Sequence, residues 1–471
     1  MKAAAYALTT FPKRCDESFF GAGRSERVWV RDAPTYAKRF PPREGGKEVR
    51  QVSIPRFGDR RDWFFENRFG LFVHWGLYAL GAWHEQEQFR ARVPRREYAA
   101  QIARFNPTRY NPDEWLDLAE ATGMRYVTFT TKHVDGFCMF DSAYTDYKVT
   151  NTPYGKDVLA MLAEACQRRG IPLCLYYSVA DMHHPNYPNA GRSYELPAPE
   201  PGDEPDLEKY LSYVEAQVRE LCTNYGTIHG FWWDANVMAH QDPRFSALIR
   251  SLQPAAVING RGFDGLWPAQ EAGDFNTPER DYNTSAELPD GYDRPTEACQ
   301  AVGIESWGYR EFEDYYSDAY LIRSIDRVMA RGGNYLLNVG PTAEGVFPDE
   351  AVRMLGVIGE WYKRVEEAFA DTVPANALTV NSEVLLTRRG DTVYVHVHQP
   401  PKGTAVILAP LDQQPRRATL LNTGEAVQTR VEVLPERWQH PPCLRLYDLP
   451  VNEHPDTALV VKLEFEPGVL G

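Results

Sequence analysis

At 471 residues with a formal net charge of −14, the chain is longer than a single hydrophobic core normally grows, and up to about three domains are expected. Its acidic residues are spread along the chain, so nothing supplies the basic footprint of a nucleic-acid binder. No stretch reaches the ~18 consecutive apolar residues of a membrane span.

The seven cysteines, odd in number and without CxxC spacing, read as reduced thiols of an intracellular protein rather than a disulfide frame or a zinc site. The opening MKAAAYALTTFPKR is too short and too weakly apolar for a secretory core, so a cytoplasmic location is expected. Aromatics at 13% would serve sugar stacking and a large core equally well.

Residues 1–61, rich in Arg, Lys, Pro and Gly and without sustained periodicity, read as an N-terminal arm over the surface. A short helix at 63–68 leads into FGLFVHW (69–75), the first strand, with His74 and Trp75 at its exit. A polar-aromatic loop at 81–88 precedes helices near 95–104 and 112–122, the latter opened by Pro112 and closed by Gly123. The β-rich run 126–132 ends in KHVDGF (132–137). An amphipathic helix at 157–169 stops at Gly170, and 172–178 is the third strand. Its exit is the crowded loop DMHHPNYP (181–188), the kind of loop that carries binding on a rigid scaffold.

A helix at 206–224 precedes GFWWD (230–234), a run of strand-forming aromatics closed by a carboxylate. A helix at 243–252 leads to a fifth strand at 256–259, followed by Arg261. A sixth strand is expected around Phe275, a seventh at 303–308, and an eighth at 335–339 after a helix near 318–331. A final helix at 350–364 closes the series. Near-continuous apolar strands alternating with helices imply a parallel sheet, and eight such units imply a closed (β/α)8 barrel over 62–372.

From about residue 375 the pattern changes to short strands separated by turns, at 377–380, 384–387, 392–397, 405–408, 419–421, 430–433, 444–446 and 458–463. That spacing indicates a C-terminal antiparallel β-sandwich at 373–471 with an accessory role.

In a barrel of this kind the chemistry sits at the carboxyl ends of the strands. Asp234 closes the fourth strand, and Glu279 follows about one or two βα units later; two carboxylates on nearby strands are the minimum kit for cleaving a glycosidic bond. Read alone, Asp234 is equally a helix N-cap or a turn residue. The first five strand exits, however, present His74, His133, Tyr177, Asp234 and Arg261, the paired donors and acceptors that a polyol needs. A metal reading of His133, His183, His184 and Asp234 lacks tight ligand spacing. Ser178 and Ser306 have no nucleophile elbow around them, and the Gly332-Gly333 pair fits neither phosphate-binding fingerprint.

The ordered motifs FGLFVHWG (69–76), HE (84–85), NP (106–107), KHVDGF (132–137), YYS (176–178), WWD (232–234), GDFNTPE (273–279), WGY (307–309) and GNYLLNVG (333–340) together resemble the α-L-fucosidases of glycoside hydrolase family 29. The likeness begins near residue 63 and includes the sandwich. It implies a retaining exo-glycosidase acting on α-L-fucosides without metal or organic cofactor, with a carbohydrate as its partner and room for a homo-oligomer. By position Asp234 matches the nucleophile and Glu279 the acid/base, with Glu271, Glu287 and Glu305 as rivals. His74, Glu85, His133, Tyr177, Trp232 and Arg261 match sugar-binding positions. Val134 and Gln86 depart from the family, which often has His and Trp there. That departure leaves open a related L-sugar such as an α-L-galactoside, and a catalytically dead carbohydrate-binding barrel is the other alternative.

Overall fold

The computed structural model describes residues 54–265, 273–280, 291–433 and 441–470. Seven parallel strands make the central sheet: β1 (Phe69–Val73), β2 (Tyr126–Lys132), β3 (Leu173–Ser178), β4 (Gly230–Asp234), β5 (Val257–Ile258), β6 (Glu297–Ala301) and β7 (Asn334–Val339). Their order is β5-β4-β3-β2-β1-β7-β6. The two ends are joined through the extended segment 275–279, which makes isolated parallel bridges from Phe275 to Asn259 on one side and from Asn276 to Thr296 and Glu279 to Cys299 on the other. That segment occupies the sixth position expected around Phe275, as single bridges rather than a regular ladder.

The seventh strand lies at Glu297–Ala301, not at 303–308. It escaped an apolar-run criterion because Glu297 and Gln300 are buried inside it, and Glu297 is satisfied there by the Tyr126 hydroxyl at 2.6 Å and the Trp232 indole N–H at 2.9 Å. A buried carboxyl with both oxygens hydrogen-bonded is tolerated in a core where an unpaired one would not be.

The helices follow their punctuation. Asn111 caps Pro112–Thr122 by accepting from Asp113 N, and Gly123 ends it at φ +92°. Asp157 caps Val158–Arg169 through Ala160 N, and Asp206 caps Leu207–Asn224 through Lys209 N. In each case the side-chain oxygen takes up an N–H that the first helical turn leaves without a partner. Arg244–Leu252, Asp318–Ala330 and Asp349–Val365 complete the outer layer. Gly359 lets Asp349–Val365 approach Pro112–Thr122, since a Cβ there would stand 2.6 Å from the Ala121 carbonyl oxygen. Among the described residues no helix is long and apolar enough to cross a membrane.

Of the arm expected at 1–61, only 54–61 are described, and Arg61 ties them to the barrel through a 2.6 Å ion pair with buried Asp274.

The C-terminal strands are β8 (Val373–Pro374), β9 (Leu385–Arg389), β10 (Thr392–Val397), β11 (Val406–Leu408), β12 (Arg417–Leu420), β13 (Gln428–Glu432), β14 (Cys443–Tyr447) and β15 (Leu459–Glu464). They form a five-stranded sheet, β12-β15-β10-β9-β8, and a three-stranded sheet, β11-β14-β13, both antiparallel. The expected strand at 377–380 is instead the short 3-10 turn Asn376–Leu378, because the Asn376 side chain accepts from Leu386 N and holds the chain in a turn.

Strand alternation divides β10 between two cores. Val393, Val395 and Val397 face the sandwich interior, while Tyr394 and His396 face the barrel. There His396 Nδ1 pairs with Asp326 of the helix Asp318–Ala330 at 2.7 Å, both side chains fully buried. The sheet face that water would cover in a free sandwich therefore packs on the barrel.

Candidate active site

The strand ends and the loops beyond them enclose a cavity of about 390 Å³. Its floor is aromatic: Phe72, Tyr176, Trp232 and Trp307 line it with His74 and His133. The register explains which residues arrive. Tyr176 pairs with Trp232, and Ser178 with Asp234, across β3 and β4; with a period of two, Trp232 and Asp234 share one face while Phe231 and Trp233 take the other.

Asp234 and Glu279 both line this cavity, and one guanidinium nitrogen joins them. Arg261 Nη1 donates to Asp234 Oδ1 at 3.1 Å and to Glu279 Oε2 at 2.9 Å. Laid end to end those bonds bound the two oxygens to about 6 Å, below the ~6.5–9.5 Å needed to seat a water between an inverting pair and close to the ~5–5.5 Å of a retaining pair. The Tyr176 hydroxyl donates to Asp234 Oδ2 at 2.8 Å, so both oxygens of this carboxylate are oriented. Each carboxylate is followed by a non-glycine residue in the left-handed region, Ala235 at φ +52° and Arg280 at φ +49°. The chain turns away immediately beyond each acid, a conformation that its surroundings must enforce.

Arg261 is itself fixed. Nε donates to Thr277 Oγ1 at 2.6 Å, Nη2 donates to the Thr277 carbonyl at 2.7 Å, and the guanidinium lies 4.7 Å from the Trp232 ring centre. Burial works against its charge, but Asp234 and Glu279 outweigh burial and hold its pKa above the usual guanidinium value. Behind this stack sits Glu297, whose carboxyl burial pushes up to about 7.

His74 Nδ1 lies 2.7 Å from Asn338 Oδ1, and the Asn338 amide N–H donates to the Trp307 carbonyl. The Asn338 oxygen must therefore accept from His74, which leaves His74 Nε2 as an acceptor. Burial drives the His74 pKa down to about 3 and lowers that of His133 as well, so both rings stay neutral. Among the described residues His133 Nδ1 and Glu85 Oε1 are buried with no hydrogen-bond partner, while Glu85 Oε2 accepts from Ser306 Oγ and Trp307 N at 2.8 Å.

Seven of the eight expected site residues meet at this cavity: His74, Glu85, His133, Trp232, Asp234, Arg261 and Glu279. Tyr177 does not. Its hydroxyl donates to Gln217 Oε1 at 2.6 Å inside the core, and Lys132 lies over its ring. Its neighbour Tyr176 takes the place, because adjacent strand residues face opposite ways. Alternation within the strand says only that the two tyrosines face opposite ways; the pairing of Tyr176 with Trp232 and of Ser178 with Asp234 selects Tyr176. Sequence reasoning also missed Asn338, Thr277, Glu297 and the trio Arg192, Ser193 and Tyr194, which line or support the site from loops and strand interiors. Val134 and Gln86 line the cavity too. Of the rival acids, Glu305 is exposed and absent from the cavity lining; Glu271 and Glu287 lie outside the described residues. Among the described residues no three His, Cys, Asp or Glu side chains cluster as metal ligands.

A family model described as Alpha-L-fucosidase matches residues 53–367. The tissue alpha-L-fucosidase of Bos taurus is 27% identical over 391 residues, covering 76% of this chain and 79% of that protein. Among solved structures, alpha-L-fucosidase isoenzyme 1 from Paenibacillus thiaminolyticus superposes with a TM-score of 0.74 at 33% identity, over 87% of this chain and 99% of that one. A GH29 alpha-L-fucosidase from Bacteroides thetaiotaomicron, trapped as a covalent intermediate with 2-fluoro-fucosyl fluoride, superposes with a TM-score of 0.72 at 26% identity, over 88% and 98%.

Proposed function

The chain belongs to the alpha-L-fucosidase family, and from that premise we propose that it is a retaining exo-glycosidase releasing terminal α-L-fucosyl residues by double displacement, with Asp234 as nucleophile and Glu279 as acid/base. The observation that carries the residue assignment is the single Arg261 nitrogen hydrogen-bonded to both carboxylates.

The fucosyl ring enters against Phe72, Trp232 and Trp307, where its apolar face and methyl group replace water on aromatic surface. His74 Nε2 and the side chains of Glu85 and His133, which line the cavity, take its hydroxyls, each exchanging a bond to water for one inside the pocket. Asp234, oriented by Tyr176 and Arg261, attacks the anomeric carbon. Protonated Glu279 gives its proton to the departing oxygen, and the bond from that oxygen to carbon breaks as the bond to Asp234 forms. In the second step Glu279 accepts a proton from water, which displaces Asp234 and restores the original anomer.

Side chains supply the nucleophile and the proton carrier, so we assign no cofactor or metal. The partner is a carbohydrate; the charge of −14 argues against nucleic acid, and a homo-oligomer is compatible with the reading. Six free, buried cysteines among the described residues support action in the cytoplasm. With the site built within 62–372, the sandwich at 373–471 acts as an accessory body.

The test is a panel of aryl glycosides with the first-formed anomer read by NMR. Hydrolysis of the α-L-fucoside in preference to the α-L-galactoside, with the α anomer appearing first, is expected. Preference for the galactoside moves the glycon assignment, the β anomer first overturns double displacement, and no turnover of any glycoside overturns the enzyme reading.

A further inference from the structure

The loop between β3 and the helix Leu207–Asn224 reaches over the cavity and delivers Arg192, Ser193 and Tyr194 to its lining. These three are not part of the buried floor. Ser193 is exposed, and Arg192 and Tyr194 are half-buried, whereas Phe72, Tyr176 and Trp232 are at most 3% exposed. The reacting carboxylates lie between, with side chains 27% exposed for Asp234 and 38% for Glu279. A glycon that fills a closed floor presents its scissile bond at the carboxylates, so whatever lines the cavity outward of them meets the leaving group.

The loop is built to hold this position. Glu195, with its side chain fully buried, accepts from the Tyr187 hydroxyl at 2.6 Å, from Ala190 N and Arg192 N at 3.0 Å, and from Arg192 Nε at 2.8 Å. Arg192 Nη2 also donates to the Pro188 carbonyl at 2.8 Å. Charge-assisted bonds of this kind make the loop stiff, and the stiffness has a visible use: Tyr194 sits at φ +64°, in the left-handed region that a tyrosine rarely adopts. Its ring rests 5.8 Å from that of Phe89, in the helix Glu87–Arg90 just beyond Glu85 and Gln86. The two loops thus meet at the mouth, and the charges of Asp234, Glu279 and Glu85 help hold the Tyr194 phenol above its ordinary pKa after burial, the larger cause. The phenol makes no hydrogen bond among the described residues, and the bonds of Arg192 use Nε and Nη2 only. An aromatic face, an uncommitted phenol, guanidinium N–H groups and a hydroxyl are the set that a hydroxylated ring engages.

We propose that Arg192, Ser193 and Tyr194, clamped by Glu195, form a leaving-group subsite that binds a sugar ring, so that the enzyme distinguishes fucosyl glycans from fucosides with small leaving groups. This inference rests on the fucosidase reading above. Binding energy from the aglycone is used when the first glycosidic bond breaks, and is absent once the leaving group has departed.

The experiment compares kcat/KM for an α-L-fucosyl disaccharide with that for α-L-fucosyl fluoride, whose leaving group is too small to reach the loop, in wild type, Tyr194→Ala and Ser193→Trp. Ser193 is exposed, so its replacement blocks the mouth without disturbing the core, and thermal melting checks that each variant is folded. Both variants are expected to lose about tenfold more activity on the disaccharide than on the fluoride, the scale of one aromatic contact, with the inhibition constant for free L-fucose shifting far less. Equal losses on the two substrates, or none on either, overturn the subsite. Failure of wild type to hydrolyse the fluoride would instead overturn the fucosidase reading itself, which keeps the two failures distinct.

Discussion

Glu297 is the group whose environment makes the most definite demand on stability. Its carboxyl lies wholly inside the barrel, and burial raises its pKa from an ordinary 4.5 to about 7, although the Tyr126 hydroxyl, the Trp232 N–H and the charge of Arg261 all work the other way. The folded protein therefore holds this proton more tightly than the unfolded chain. The stability it contributes is fully present below pH 4.5 and is lost as pH rises toward 7. At ~1.4 kcal/mol per pKa unit the loss across that window is about 3 kcal/mol, a large share of the ~5–15 kcal/mol that a folded protein has in reserve. Glu297→Gln removes the titration. Its amide oxygen accepts from Trp232 and one N–H turns toward the Tyr126 oxygen, leaving a second N–H without a partner at a cost of about 1–3 kcal/mol. The variant should be less stable than wild type at pH 5, and the gap should close or reverse at pH 8. Urea unfolding of both proteins at the two pH values measures this. If the wild-type and variant curves shift by the same amount between pH 5 and 8, Glu297 does not carry the raised pKa, and the account of its burial is wrong.

Asp234→Ala should leave the fold intact and lower kcat more than about a thousandfold, roughly 4 kcal/mol of lost transition-state stabilisation; steady-state kinetics retaining more than that would move the nucleophile elsewhere. Glu279→Ala should slow alcohol-leaving fucosides severely yet spare the first step with an activated aryl fucoside, and azide should restore turnover as the glycosyl azide of retained configuration; product NMR giving the opposite anomer would contradict a covalent intermediate. Tyr176→Phe and Tyr177→Phe remove the same atom from adjacent residues with opposite consequences. The first should lower kcat by freeing Asp234 Oδ2, while the second should leave kcat within about threefold and cost about 1–3 kcal/mol by orphaning Gln217 Oε1 in the core.

Local chemistry was legible directly from the chain. Pro112 and Gly123, or Gly170, mark helix ends because first turns and left-handed stops are settled within a few residues. The runs that became β1 to β4 announced themselves because strands buried on both faces are rich in apolar and β-branched residues, and Asp234 stood out as the acid ending one of them. Three things depended on what lies across space. β6 was hidden because Glu297 and Gln300 are acceptable in a core only where partners such as Tyr126 and Trp232, far away in sequence, satisfy them. The choice of Tyr176 over Tyr177 rests on the register of β3 against β4, which neither strand states alone. Tyr194 reaches the cavity because a buried Glu195 clamps its loop in a strained conformation. Short-range hydrogen bonds and the side-chain period are encoded within a segment; which face turns inward, and which buried polar atom finds a partner, is decided only when distant segments pack together.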